Sequence, residues 1–130
     1  MAGVEATLET WQAPAERSDP IDLLEQQNAH RLPWLIAERH RRMAKSPFAW
    51  FRGSAAVMAR DLGCRPCTDQ LVQLCGDAHL LNFGFYASPE RTLVFDINDF
   101  DETFPGPWEW DLKRLLVSLV LVARQLGLDG

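Results

Sequence analysis

Between the apolar runs "QLVQLC" and "NFGFYA" the chain places "GDAHLLN", bringing Asp77, His79 and Asn82 within six positions of one another. Short runs of this kind, bounded by turn residues, read as strands, so the polar trio sits on a loop between two of them. Such a loop can point Asp77 and Asn82 the same way. A turn at "SPER" leads to a third run, "TLVFDIND", in which Leu93, Phe95 and Ile97 alternate with Val94, Asp96 and Asn98. The face that carries Asp96 and Asn98 is therefore polar or functional, and the whole stretch predicts a small antiparallel sheet near residues 69–98.

Helices flank this sheet. "DLLEQQNAHRL" has the spacing of a short helix, and Pro33 fits the first turn of a second, "PWLIAERHRRMAK", with Trp34, Leu35, Ala37 and Met43 expected to face inward. "SPFAWFRG" reads as a short extended piece, and Ser54 to Leu62 as a helix closed by Gly63. After a turn at Pro105–Gly106–Pro107, "WEWDLKRLLVSLVLVARQL" predicts a long helix whose Leu112, Leu115, Leu116, Leu119 and Val120 form the apolar face. The fold class is thus α+β: a helical front, a small antiparallel sheet and a long C-terminal helix. Residues 1–19, polar and interrupted by Pro14, read as a loosely ordered lead-in, and residues 20–130 as a single domain. The closing helix runs almost to the last residue, so the chain is expected to be the front of something longer.

Composition narrows the function classes. With 47% hydrophobic and 24% charged residues over 130 positions, one globular core is expected. A net charge of -5 argues against a general nucleic-acid surface or an anionic membrane as partner. No run reaches the roughly 18 apolar residues of a bilayer span, and "MAGVEATLETW" lacks the pattern of a signal peptide, so a cytoplasmic protein is expected. Three cysteines, Cys64, Cys67 and Cys75, are then expected as thiols.

Between Phe95 and Asp111 lie six acidic residues and no basic one. Carboxylates so crowded repel one another unless cations are supplied, and hard oxygen ligands suit Mg²⁺ or Mn²⁺, which keep waters and bridge to substrate phosphates. The cations of the chain concentrate instead on the second helix, at Arg39, His40, Arg41, Arg42 and Lys45, with Arg52 alone inside an aromatic stretch. These residues face solvent, acidic segments or an anionic ligand.

The spacing of Asp77 and Asn82 is the D-x-x-x-x-N of protein-kinase catalytic loops, in which the Asp receives the proton of the attacking hydroxyl and the Asn binds metal. "GDAHLLN" resembles the catalytic loop of aminoglycoside phosphotransferases, and "NDFDETFPGPWEWDLKRLL" is similar to their metal-binding segment. That resemblance implies a kinase-like fold, with Asp77 as base, Asn82 and Asp99 holding Mg²⁺, Asp96 or Asp101 assisting, and His79 bracing the loop. It also implies Asp111 as a structural aspartate, and ATP and a small acceptor as ligands. A further resemblance covers the chain from Asp19 onward. "DPIDLLEQQNAHRLPWLIAERHRRMAKSPFAWFRGSAAVMARDL", "LCGDAHLLNFG" and "VFDINDFDETFPGPWEWDLKRL" look like the front section of the bacterial domain-of-unknown-function family 2252. Members of that family are usually several times longer, which implies an N-terminal portion of a longer kinase-like domain.

No G-x-G-x-x-G loop occurs, and the only lysines are Lys45 and Lys113. The phosphate-binding cation is then Lys45, Arg52, or a residue beyond this chain. Three rival readings remain at this level. A metallophosphoesterase would use "GDAH" but needs later G-D and G-N-H elements that are missing. A zinc module would use Cys64, Cys67, Cys75 and His79. A binding protein would keep the fold without the chemistry.

Overall fold

A computed structural model describes residues 15–128. Among them are five α-helices and four short strands: α1 (Pro20–Asn28), α2 (Pro33–Met43), α3 (Pro47–Gly53), α4 (Ala55–Gly63), β1 (Leu71–Leu74), β2 (Phe83–Ala87), β3 (Leu93–Ile97), β4 (Phe104–Pro107) and α5 (Glu109–Gln125). The architecture is α+β, as the sequence predicts. Most of the expected lead-in, residues 1–14, lies outside the described residues. In its described part, Arg17 grips Asp61 of α4 through two bonds of 2.7 and 2.8 Å, so this end of the lead-in is tied down rather than loose.

Local chemistry explains the helix starts. Asp19 caps α1 by accepting from the Ile21 amide at 2.8 Å, and Pro20 and Pro33 occupy first turns, where no amide donor is needed. The same logic overturns one expectation. "SPFAWFRG" is a helix rather than an extended piece, because Ser46 caps it on the Ala49 amide at 3.1 Å and Pro47 fills its first position. The Ser-Pro start outweighs the strand preference of Phe48, Trp50 and Phe51.

The sheet also differs from expectation. Instead of one sheet there are two antiparallel pairs, β2 with β3 and β1 with β4. Phe83 faces Ile97 and Ala87 faces Leu93 in the first; Leu71 faces Pro107 and Leu74 faces Phe104 in the second. "PGP" is thus a strand, not a turn. Pro105 and Pro107 are tolerated because a two-stranded ribbon leaves each strand an unpaired edge that needs no amide donor. Gly106 lets Leu74 pack close, since a Cβ there would fall 2.6 Å from Leu74 Cδ1.

Burial brings two further corrections. On α2, Met43 is buried, but Trp34, Leu35 and Ala37 are exposed. On α5, the leucine stripe of Leu112, Leu116, Leu119 and Val120 is exposed, and only Leu115 of the expected face is partly covered. The stripe that α5 buries is Arg114 and Ser118, with Asp111 half-covered on the same side. At i, i+3 and i+7 these three lie along one helix face. A polar stripe turns inward because the chain packed beneath it is the irregular loop 75–80, whose backbone amides require acceptors.

Candidate functional site

The loop after β1 is held from α5 in three places. The Asp111 carboxylate accepts from the Cys75 amide at 2.7 Å and the Gly76 amide at 3.2 Å. Ser118 Oγ accepts from the Leu80 amide at 3.0 Å. Between them Arg114, 3% exposed, donates through Nε to Asp77 Oδ1 at 2.6 Å, with its Nη2 also against that oxygen. The same Nη2 donates to the Phe51 carbonyl at 2.7 Å, and the guanidinium lies 4.0 Å from the centre of the Phe51 ring. Arg114 therefore joins α3, the loop and α5.

Gly76 makes the turn into Asp77 possible. Its φ is +82°, and a Cβ would meet the Glu102 carbonyl oxygen at 2.0 Å. Both the left-handed backbone and the close approach demand glycine. Downstream, Asn82 is buried and donates through Nδ2 to the Asp77 carbonyl at 2.9 Å, which ties the two ends of "DAHLLN" together. Its Oδ1 accepts no hydrogen bond among the described residues.

His79 is fully enclosed, 2% exposed. Arg52 Nε donates to His79 Nε2 at 3.2 Å, and a guanidinium can only donate, so Nε2 carries the lone pair and the ring proton sits on Nδ1. Nδ1 is buried without a hydrogen-bond partner in the structure. Burial pushes the imidazole below its ordinary pKa, and the charges of Arg52 and Arg114 outside it push the same way against Asp77 and Asp99. The Asp77 Oδ2 to His79 Nε2 separation of 3.6 Å is too long for a hydrogen bond. His79 thus packs against Phe48, ring centres 6.0 Å apart, and supports Arg52. Asp77 Oδ1 is committed to Arg114, while Oδ2 receives no protein hydrogen bond among the described residues.

An open cleft of about 460 Å³ collects these groups. Lys45 and Arg52 line it from the α2–α3 side, with Arg42 beside them; Asp77, His79 and Asn82 line it from the loop; Asp99 lines it from the segment after β3. Six of the eight site residues expected from the sequence therefore meet in one place. Asp96 and Asp101 do not: both are exposed and outside the lining, Asp96 turned back on the Ile97 amide at 2.7 Å. Asp99 uses one oxygen to accept from the Asp101 amide at 3.2 Å.

Among the described residues no group of three or more His, Cys, Asp or Glu side chains is arranged to hold a metal ion. The zinc reading through Cys64, Cys67, Cys75 and His79 finds no such group, and Cys75 is buried with its thiol pushed up to about 11 by burial and by the Asp111 charge. The cleft does offer oxygen donors of another kind, Asn82 Oδ1 and the Asp99 carboxylate. A pair of oxygens suits an ion that takes its remaining ligands from water and phosphate, the habit of Mg²⁺.

The basic run on α2 divides by direction. Arg41 and Arg42 pair with Glu38 at 2.7 and 2.6 Å, and their hydrogen bonds hold that carboxyl at about 2. Arg39 turns inward instead, to Gly53 O and to Asn28 Oδ1 at 3.2 Å. Arg114 escaped sequence reasoning altogether. The signal was present, as Asp111, Arg114 and Ser118 repeat at helical spacing within a helix rich in Leu and Val.

With this geometry in view, a family profile matches residues 31–130. The chain belongs to the family described as an uncharacterized protein conserved in bacteria, DUF2252. No curated protein and no solved structure matches the chain. No helix among the described residues is long and apolar enough to cross a membrane.

Proposed function

We propose that the cleft binds a phosphate-bearing ligand together with Mg²⁺, and that the protein is a kinase-like phosphotransferase acting from ATP on a small acceptor. The observation that carries this reading is the meeting of Lys45, Arg52, Asp77, His79, Asn82 and Asp99 on one cleft from four separate segments. Lys45, Arg52 and Asp99 face the same space with no ion pair among the described residues, an arrangement suited to phosphate oxygens bridged by a divalent ion.

Phosphoryl transfer asks a protein mainly for positioning and charge stabilisation. Lys45 and Arg52 would hold phosphate oxygens, and Asn82 Oδ1 and Asp99 would hold the ion. When bound, Mg²⁺ supplies charge neutralisation between the phosphates. Asp77 would present Oδ2 to the acceptor hydroxyl and take its proton, since Arg114 fixes Oδ1 and with it the plane of the carboxylate. His79, proton on Nδ1 and lone pair on Nε2, keeps the Arg52 guanidinium aimed. It takes no proton from the acceptor, because Nε2 is already used.

The tie between Asp77 Oδ1 and Arg114 favours a second reading, a binding protein in which Asp77 is structural. Purified protein incubated with ATP, Mg²⁺ and a pool of small metabolites separates the two. Asp77→Ala and Asp99→Ala should each abolish ADP formation; retained activity in both variants overturns the assignment, and ATP binding without any transfer supports the second reading.

A further inference from the structure

A smaller cavity of about 140 Å³ adjoins the cleft and shares Arg52, Gly53 and Asp77 with it. At about 30 Å³ per water, it has room for four or five waters, or for one phosphate-sized group. Arg31 from the α1–α2 connection, Arg39 from α2 and Arg52 from α3 line it, together with Gln27, Asp77 and Glu102. Three guanidinium groups separated in sequence are thus brought to one small space.

Their charges are not used up. Asp77 belongs to Arg114, and among the described residues none of Arg31, Arg39 and Arg52 lies within ion-pair distance of a carboxylate. Arg39 gives its hydrogen bonds to neutral oxygens of Asn28 and Gly53, and Arg52 gives its Nε to His79. Burial, and then the neighbouring Arg31 charge, make the Arg39 cation harder to keep, while Glu102 and Glu25 offset this only from a distance. Three cations gathered at one small space with no paired carboxylate repel one another, and an anion relieves that repulsion.

We infer that this cavity is a second oxyanion site, in which Arg31 and Arg39 hold one phosphate group of a ligand whose next phosphate lies on the cleft side of Arg52. The ligand class is therefore a compound with two or more linked phosphates. This rests on the phosphate-binding reading of the cleft, but not on transfer or on the metal. Arg52 belongs to both spaces: its Nε is anchored on His79, and its Nη groups have no protein partner among the described residues, which leaves them free to bridge.

Calorimetric titration in EDTA with inorganic tripolyphosphate and with orthophosphate tests it. The wild-type protein should bind tripolyphosphate at least tenfold more tightly than orthophosphate. Arg31→Gln, at an exposed side chain that makes no hydrogen bond among the described residues, should erase most of that gain, and Arg31→Glu all of it. Arg41→Gln, which removes an exposed charge outside both cavities, should leave it within twofold. Equal affinity for the two anions, an unchanged gain in Arg31→Gln, or an equal loss in Arg41→Gln overturns the inference. A tripolyphosphate gain that depends on Arg31, in a protein that transfers no phosphate, upholds this site and overturns the phosphotransferase reading.

Discussion

Replacing Arg114 with methionine removes the tie that holds α3, the loop and α5 together while keeping an unbranched stem in its place. Arg114 is 3% exposed and satisfies both Asp77 Oδ1 and the Phe51 carbonyl. Breaking a buried pair by deleting one partner costs about 3–5 kcal/mol, because the other charge is left behind. The Asp77 side chain is 19% exposed, so water reaches the stranded carboxylate and the loss falls toward the lower end, about 3 kcal/mol. Urea denaturation followed by tryptophan fluorescence measures it. Asp77→Asn alone should also destabilise, by leaving Arg114 buried and unpaired. The double variant should lose less than the sum of the two, by about 1–3 kcal/mol. A loss below about 1 kcal/mol in Arg114→Met, or strict additivity in the double variant, would refute the clamp.

Three other expectations follow from individual contacts. Gly76→Ala should cost about 2 kcal/mol or more, because it adds a clash with the Glu102 carbonyl to the left-handed backbone. Gly127→Ala, with φ +68° but nothing within 4 Å, should cost only the backbone part, about 1–2 kcal/mol, and equal losses would remove the clash argument. A chromogenic thiol reagent at pH 8 should modify the exposed Cys64 and Cys67 in the native protein and Cys75 only after denaturation. Glu109 accepts from Thr68 Oγ1 and from the Thr68 amide, which lowers its pKa below the ordinary 4.5. That contribution is complete above pH 4.5 and fades as pH falls through the lowered native value, so Thr68→Val should flatten the fall in melting temperature between pH 5 and 3.

The loop part of the candidate cleft was legible because its pattern is written locally. "GDAHLLN" fixes its own spacing, and Gly76, Asp77 and Asn82 act within six or seven positions. Asp111 was legible too, and does hold the loop, through the Cys75 and Gly76 amides. What the sequence hid depends on partners far along the chain. The inward face of α5 follows hydropathy only if the helix packs on apolar surface; here it packs on a loop that needs acceptors and a counter-charge, so Arg114 and Ser118 go in and Leu112, Leu116 and Leu119 stay out. The strand at Phe104–Pro107 was hidden for a similar reason, since only pairing with β1, some 30 positions earlier, outweighs the turn preference of Pro-Gly-Pro. The α3 helix was readable in principle from Ser46-Pro47, and the aromatic residues after it diverted the reading.

The cleft itself is tested most directly by the Mg²⁺ dependence of ATP affinity, measured by calorimetry in the wild-type protein and in Asp99→Asn. If Asn82 and Asp99 hold an ion that bridges to phosphate, Mg²⁺ should tighten ATP binding at least tenfold, about 1.4 kcal/mol, and Asp99→Asn should lose most of that gain while keeping the metal-free affinity set by Lys45 and Arg52. ATP that binds equally well in EDTA, or an Asp99→Asn variant that responds to Mg²⁺ as the wild type does, would contradict it.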